Sequence, residues 1–529
     1  MSNLKYYDPQ TLKKGNETYT SQVIIYGATS AGITSAIQLK RYGIECMIVE
    51  PTNHVGGMTT SGLSATDLGS EYAVGGISKE FYTKISEHYQ KQNEYNFEPK
   101  VAKEIYKQWI DEYNIPIYTK QPLKKVIKEN NKIKEFTTEN GNTFIADVFI
   151  DTTYEGDLFA KAGISYKVGR EANSQYKEIY NGIQFKDQHH KFEEWIDPYV
   201  IEGDPESGLL PGIQDLSMEE IGYPGLADDT IQAYNFRITL TKNKENKIRF
   251  PKPKNYNSER YLLLLRYILT GNWDAMNLNT PLPNEKWDLN NYGAFSTDHI
   301  GMNYEWPDAD NETREKIYQD HIEYNQGILY FLANDSRVPK DIRDEVSEFG
   351  LPKDEYEDSE HWPPQLYIRE ARRMISDYVM TDRNCLKVDT VHDSIGLASY
   401  HMDSHNCRRF VIDGRVMNEG DVEIPVSPFP ISYRSIRPKK EEATNLLVPV
   451  CLSSSHIAYG SIRMEPIFMI LGQSAAVAAK IALEEQIPVQ DLDYDVLREE
   501  LIKQNQVVEW DESIEDDPLA RMKETFGKE

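Results

Sequence analysis

Two side chains near the end of the chain have the chemistry of a reaction centre. His456, in "SSSHIAYGS", carries an imidazole that can take a proton near neutral pH, and Arg463, seven residues on, carries a fixed cation. Together they read as a general base and an anion-stabilising group, so His456 and Arg463 are the catalytic candidates. Each also has an ordinary structural alternative: a histidine bonded to backbone, and an arginine paired with Glu465. In "QLYIREARRMISDYVM", Arg369, Arg372 and Arg373 stand at i, i+3 and i+4, which places them on one face of a helix. That face suits either ion pairing or recognition of an anion or sugar hydroxyls by guanidinium groups. His401, Asp403 and His405 alternate in "YHMDSH", a ligand-like spacing that arises readily by chance; no metal is expected. The aromatic residues of the middle region (Tyr234, Phe236, Trp287, Tyr292, Phe295, Trp306, Trp362) suit core packing, with one or two left to stack on a substrate.

The elements that must position these groups begin at residue 23. Residues 23–26, all apolar or aromatic, suit a buried parallel strand, and Gly27 follows where a strand turns into a helix. Ile33, Ala36 and Ile37 give that helix an apolar face, Gly43 stops it, and "ECMIVE" forms a second strand ending on Glu50. This β-α-β unit resembles a dinucleotide fingerprint with Gly27, Thr29 and Gly32 in the glycine positions. Thr29 replaces the middle glycine. Its small hydroxyl still permits close approach and offers a donor to phosphate, beside the helix N-terminal amides of Ser30 and Ala31. Glu50, 23 residues after Gly27, is placed to meet the ribose hydroxyls. A second glycine turn, "HVGGMTTSGL", follows at once; two successive glycine turns after β-α-β favour FAD over NAD and place His54, Gly56, Gly57 and Met58 at the cofactor. For His54, packing or hydrogen bonding is favoured over a covalent flavin link.

Composition narrows the partners. Lys plus Arg total 58 against 85 Asp plus Glu, a formal charge of −27 with no basic block, which disfavours nucleic acid and anionic membranes. The first twenty residues are polar, and "PIFMILGQSAAVAAKIAL" is interrupted by Gln473, Ser474 and Lys480, so a cytoplasmic protein without membrane insertion is expected. Four cysteines without a CxxC pair exclude an iron–sulfur ligand set and suggest reduced, buried thiols. No second glycine fingerprint marks a separate NAD(P) domain.

Further motifs carry a family resemblance. "GGMTTSGL", "DTTYEGDLFAKAGISYKVGRE", "GDPESGLLPGI", "QAYNFRITLT", "YIREARRM", "MDSH" and "SSSHIAYGSIRMEP" together resemble FAD-dependent oxidoreductases of the glutathione-reductase-type superfamily, from about Val23 to about Leu483. The resemblance implies an α/β fold: a Rossmann-like FAD-binding domain with an inserted α+β substrate or cap region. The expected divisions are 20–170 and 441–490 for the cofactor domain, 171–440 for the cap, and 491–529 for a C-terminal extension. A hairpin at Leu123 to Lys128 and Ile133 to Thr138, the Asp151-Thr152-Thr153 turn, a strand at Leu446 to Val450, a polar loop and a helix from about Met464 complete the cofactor domain. Val126, Thr152 and Gly472 join the cofactor-binding positions. The implied activity is hydride transfer from a small polar substrate, such as a sugar or polyol, to flavin N5, with an unidentified electron acceptor. A redox-neutral lyase or isomerase step, or structural use of FAD, remains the alternative.

Overall fold

A computed structural model describes residues 4–185, 190–276 and 280–526. Its largest sheet has seven strands. Strands β1 (Thr18–Tyr26), β2 (Cys46–Val49), β3 (Ile117–Tyr118), β4 (Leu123–Glu129), β5 (Lys132–Thr138) and β6 (Thr143–Asp151) lie in the order β3-β2-β1-β6-β5-β4, and the short strand Leu446–Leu447 also pairs with β6. The β1–β2, β2–β3 and β1–β6 pairs are parallel, whereas β6–β5 and β5–β4 are antiparallel. The register matches Tyr26 with Val49 on one side and with Asp151 on the other. Consecutive strands therefore depart to opposite sides of β1, and a crevice opens at its carboxyl end.

Local chemistry explains these elements. The last four residues of β1 are buried, as a strand covered on both faces requires. Helix α1 (Ser30–Arg41) begins at Thr29, whose hydroxyl accepts from the Gly32 amide, and ends with Lys40 and Arg41 at the negative end of the helix dipole. A second buried helix crosses it closely from the far end of the chain. That helix (Glu465–Glu485) accepts Thr34 Oγ1 at the Met469 carbonyl (3.0 Å) and Ser35 Oγ at the Gly472 carbonyl (2.7 Å). A Cβ on Gly472 would stand 2.3 Å from the Ala31 carbonyl oxygen. Gly472 thus lets α1 and the core helix approach closely. The same helix is long and apolar enough to cross a membrane, but 89% of its most apolar window is buried inside the protein, as befits a core helix.

Residues beyond 171 form small two- and three-stranded sheets and the long helix α2 (Asn311–Asn334), capped by Asp310. Strands β7 (Met402–Ser404) and β8 (Val422–Ile424) pair antiparallel with Asp403 opposite Glu423. Three expectations change here. The arginine stretch is extended rather than helical, and Arg373–Met374 pairs with Tyr166–Lys167. Pro363 and Pro364 precede it, and its guanidinium groups bond inward to carbonyls and carboxylates, so no solvated helical face exists. The loop before the last core helix contains a short helix, α3 (His456–Ile462), capped by Ser455. Finally, only Leu446 and Leu447 of the expected late strand take part in the sheet. With α1, α2 and α3 assigned, the core helix Glu465–Glu485 is α4.

Candidate functional site

The glycine turn at the end of β1 is built from backbone proximity. Gly27 has φ +110° and donates its amide to the Val49 carbonyl at 2.8 Å. A Cβ on Gly32 would lie 2.1 Å from the Gly27 oxygen, so only glycine lets α1 start this close to the strand. Thr29 differs from expectation: its hydroxyl donates to the Thr152 carbonyl at 2.7 Å, tying the turn to β6 and leaving phosphate to the helix amides. Thr152 reciprocates by donating its own hydroxyl to the Gly27 carbonyl at 2.7 Å. Ser30 and Ala31, the first residues of α1, are buried, as is Thr152.

Glu50 closes the crevice at the end of β2. Its carboxylate accepts from the Ala28 amide (2.7 Å) and from the Thr52 amide and hydroxyl (2.8 and 2.6 Å). Burial raises its pKa, against these hydrogen bonds. The second turn lies beside the first: the Gly56 amide donates to the Ala28 carbonyl at 2.7 Å, and a Cβ on Gly57 would meet Tyr154 Oη at 2.2 Å. Tyr154 Oη accepts from the Met58 amide (2.9 Å) and donates to Glu465 (2.6 Å), which also receives Thr59 Oγ1 (2.7 Å). His54 Nε2 lies 2.8 Å from the Gly57 carbonyl, and burial lowers its pKa to about 4, leaving a neutral ring that braces the turn. Val126 stands in β4 opposite Phe136, two strands away from β6. The paired glycine turns, the α1 amides and Glu50 fit a dinucleotide with a diphosphate at the helix N-terminus.

A cavity of about 410 Å³ opens on the other side of the second turn. Residues 64 and 65 lead directly into its wall, donating two amides to Asp288 (3.2 and 2.9 Å). Arg237 grips the same carboxylate through Nε (3.0 Å) and Nη2 (2.6 Å). Tyr367 and Asp403 also line the cavity, and Arg463 stands behind both, with Nη1 at 2.9 Å from Tyr367 Oη and Nη2 at 3.1 Å from Asp403 Oδ2. His405 lines it too. Its Nδ1 lies 2.9 Å from Asp298 Oδ2 and its Nε2 3.5 Å from Asp403 Oδ2. Burial alone would raise the Asp403 pKa, but its contacts with His405 and Arg463 outweigh that and hold the carboxyl well below its usual range. Asp298 is likewise held low: Arg369 and His405 overcome its burial.

His456 is placed differently. It is buried at the start of α3, with Nδ1 at 2.9 Å from both Glu370 oxygens and Nε2 at 2.9 Å from Ser404 Oγ, and it is not among the cavity-lining residues. Arg463 caps the opposite end of the same short helix. The two catalytic candidates therefore belong to one element, but only Arg463 touches side chains that face the cavity. Among the aromatic candidates, Tyr292 lines the cavity, while Tyr234, Phe236, Phe295, Trp306 and Trp362 are buried in the core. Asp298, Arg237 and Asp288 went unread in the sequence because nothing local marks them; the Met-Asp-Ser-His alternation was the one visible trace of His405.

Comparison with known proteins adds the following. Residues 22–501 match the family model described as FAD dependent oxidoreductase. Among curated proteins, none matches this sequence. Solved structures that resemble parts of the chain include L-proline dehydrogenase from P. horikoshii, 17% identical over 29% of this chain and 59% of that one, with a TM-score of 0.24. Bacillithiol disulfide reductase Bdr (YpdA) from Staphylococcus aureus is 18% identical over 31% and 45%, with a TM-score of 0.20. OxyS anhydrotetracycline hydroxylase from Streptomyces rimosus is 11% identical over 29% and 36%, with a TM-score of 0.21. Each match covers less than two thirds of the other protein's length.

Proposed function

Because the chain belongs to the FAD dependent oxidoreductase family, we propose that it oxidises a small polyhydroxylated substrate in the 410 Å³ cavity beside the second glycine turn. FAD, when bound, supplies the centre that accepts hydride from the substrate. The protein's residues supply orientation and proton handling. In this reading the chain's own part would be proton handling: His405 would take the proton of the hydroxyl on the carbon being oxidised, leaving a carbonyl once the hydride has gone to the cofactor. Asp298, bonded to His405 Nδ1, fixes the ring and stabilises the imidazolium that results. Arg463 holds Asp403 and Tyr367 in place and keeps a positive charge at the root of α4, whose N-terminus adds to it. Arg237 and Asp288 present a rigid donor–acceptor pair for further hydroxyl groups.

The observation carrying this reading is the carboxylate-braced His405 at a polar cavity whose wall begins at Ala65, just after the second glycine turn. His456 takes a positioning role, holding Glu370 and, through Ser404, the strand that ends beside His405. Anaerobic mixing with sugars, polyols, hydroxy acids and amines tests the proposal. Bleaching of the flavin by a polyhydroxylated compound supports it; turnover with the oxidised spectrum intact overturns it in favour of redox-neutral chemistry. Peroxide production in air then separates oxidase from dehydrogenase.

A further inference from the structure

Besides the substrate cavity, whose wall begins at Ala65, a cavity of about 610 Å³ meets the second glycine turn at His54 and Thr60. Its wall continues back through Pro51, Thr52 and Asn53, which follow directly on Glu50. Glu50 is the carboxylate placed for the ribose, so the base that a bound dinucleotide carries on that ribose falls into this second cavity. Another wall comes from the start of the chain, between Leu4 and Leu12. We propose that residues 4–12 are a strap that closes over the adenosine half of FAD and slows its release.

The strap is anchored although it belongs to no sheet. Leu4 is buried, and its carbonyl accepts from Gln319 Nε2 at 2.8 Å. The Tyr7 amide donates to Glu315 Oε2 at 2.9 Å, and Tyr7 Oη donates to Glu139 Oε2 at 2.5 Å. Tyr6 packs edge-on against Trp306, with ring centroids 4.9 Å apart. Asp8 then turns the chain, accepting from the Gln10 amide at the start of the short helix Pro9–Thr11. A segment outside the sheet keeps one course where side chains tie it down. Here the ties run to Glu315 and Gln319 of α2 and to Glu139, none of which lines the cavity.

Its course also brings it to the cofactor turn. Tyr6 Oη stands 3.4 Å from Glu155 Oε1, and Glu155 follows shortly after Thr152, which bonds to Gly27 and Thr29. Burial pushes the Glu155 carboxyl up to about 7, with Arg314 opposing and the nearby Asp157 and Glu50 adding to the rise. The strap therefore passes over the carboxyl ends of β2 and β6, the edge of a parallel sheet at which nucleotides bind. The lining suits adenosine: Tyr7, Leu12 and Pro51 offer apolar surface to the faces of the purine, while Asn53 and Lys120 offer donors and an acceptor to its nitrogen-rich edge. This inference rests on FAD binding and stands apart from the substrate assignment, so retention of flavin, rather than turnover, tests it.

Two measurements on the full chain test the strap. Trypsin should cut after the exposed Lys5, Lys13 or Lys14 about tenfold more slowly in FAD-loaded protein than in protein stripped of flavin. Cleavage after Lys244, exposed and lining neither cavity, serves as the internal reference. In the second measurement, Glu315→Ala combined with Gln319→Ala unties the strap without altering the cavity wall. FAD should then leave about 10- to 100-fold faster, followed as flavin passing an ultrafiltration membrane over time. ADP, which carries the adenosine half alone, should bind the stripped double variant more weakly by a similar factor in calorimetry. Should the double variant fail to fold, the proteolysis of wild-type protein decides. Equal cleavage of loaded and stripped protein, or a folded double variant that releases FAD at the wild-type rate, would overturn the strap, as would unchanged ADP affinity beside faster release of FAD.

Discussion

The cofactor cradle and the substrate cavity both bury carboxylates, yet they treat them in opposite ways. In the cradle, Glu50, Glu465 and Asp151 are met by backbone amides and hydroxyls, and burial raises all three, Asp151 to about 6. In the cavity, Asp403 and Asp298 are met by arginine and histidine, which lower both. The difference follows from what each region must hold. A diphosphate bound at α1 brings its own negative charge, so the cradle offers amide dipoles and close backbone approach without committed cations. The cavity keeps its charges internally balanced so that a neutral polar molecule can enter at little electrostatic cost.

The sharpest break of that contrast is Gly32→Val. A side chain there strikes the Gly27 carbonyl, and the protein should purify without flavin absorbance; a yellow variant would show that the close approach is dispensable. Next comes a pair of histidines. His405→Ala should retain FAD but slow anaerobic flavin reduction by about 10² to 10⁴-fold, the range for a lost general base. His456→Ala should instead lower stability by about 1 to 3 kcal/mol, because Glu370 loses its imidazole partner and keeps only Arg373 and the Gln232 amide. Denaturant melts and stopped-flow reduction on both variants decide between the roles, and the reverse pattern would return the proton-accepting role to His456.

A smaller effect is expected of Glu50→Gln, which keeps the shape of the side chain but accepts from Ala28 and Thr52 less strongly and loses its charge toward ribose hydroxyls. FAD should bind about tenfold more weakly by calorimetry, since a charge-assisted hydrogen bond contributes about 1.5 kcal/mol. The smallest effect is on pH. Asp151 has a folded value of about 6 against an ordinary 3.8, so its stabilising contribution is fully present below 3.8 and is lost as pH rises through about 6. Bound diphosphate would raise the cradle carboxyls further, so binding takes up protons. FAD affinity of the stripped protein should therefore strengthen by about threefold from pH 7.5 to pH 6. Weaker binding at pH 6 would place the titrating charge elsewhere.

The same contrast explains what the sequence disclosed. Gly27, Gly32 and Glu50 lie within one β-α-β unit, where spacing along the chain translates directly into spacing in the fold, and the hairpin at 123–138 was readable by alternation. The cavity draws Asp67, Arg237, Asp288, Tyr367 and His405 from across the chain, and no local period joins them. The arginine stretch shows the cost of reading period alone: i, i+3, i+4 spacing suggested a helix, but burial of Arg369 and Arg373 against carbonyls and carboxylates held the chain extended. At Gly472 a side chain would meet the Ala31 carbonyl, a helix–helix contact that no local pattern in the sequence announces.

That crossing of α1 and α4 also sets a schedule. The turn that receives the diphosphate has its strand-side partners by Thr152, yet the helix that seals its back, and the Glu465 contact to Thr59 and Tyr154, arrive only with residues 465–485. At roughly 5 to 20 residues per second, a ribosome needs on the order of half a minute or more to reach them. During that interval the face of α1 that packs on α4 has no native partner. The emerging chain therefore presents a nearly finished nucleotide-binding unit that must wait, shielded by chaperones or by transient contacts, before FAD can lock it closed.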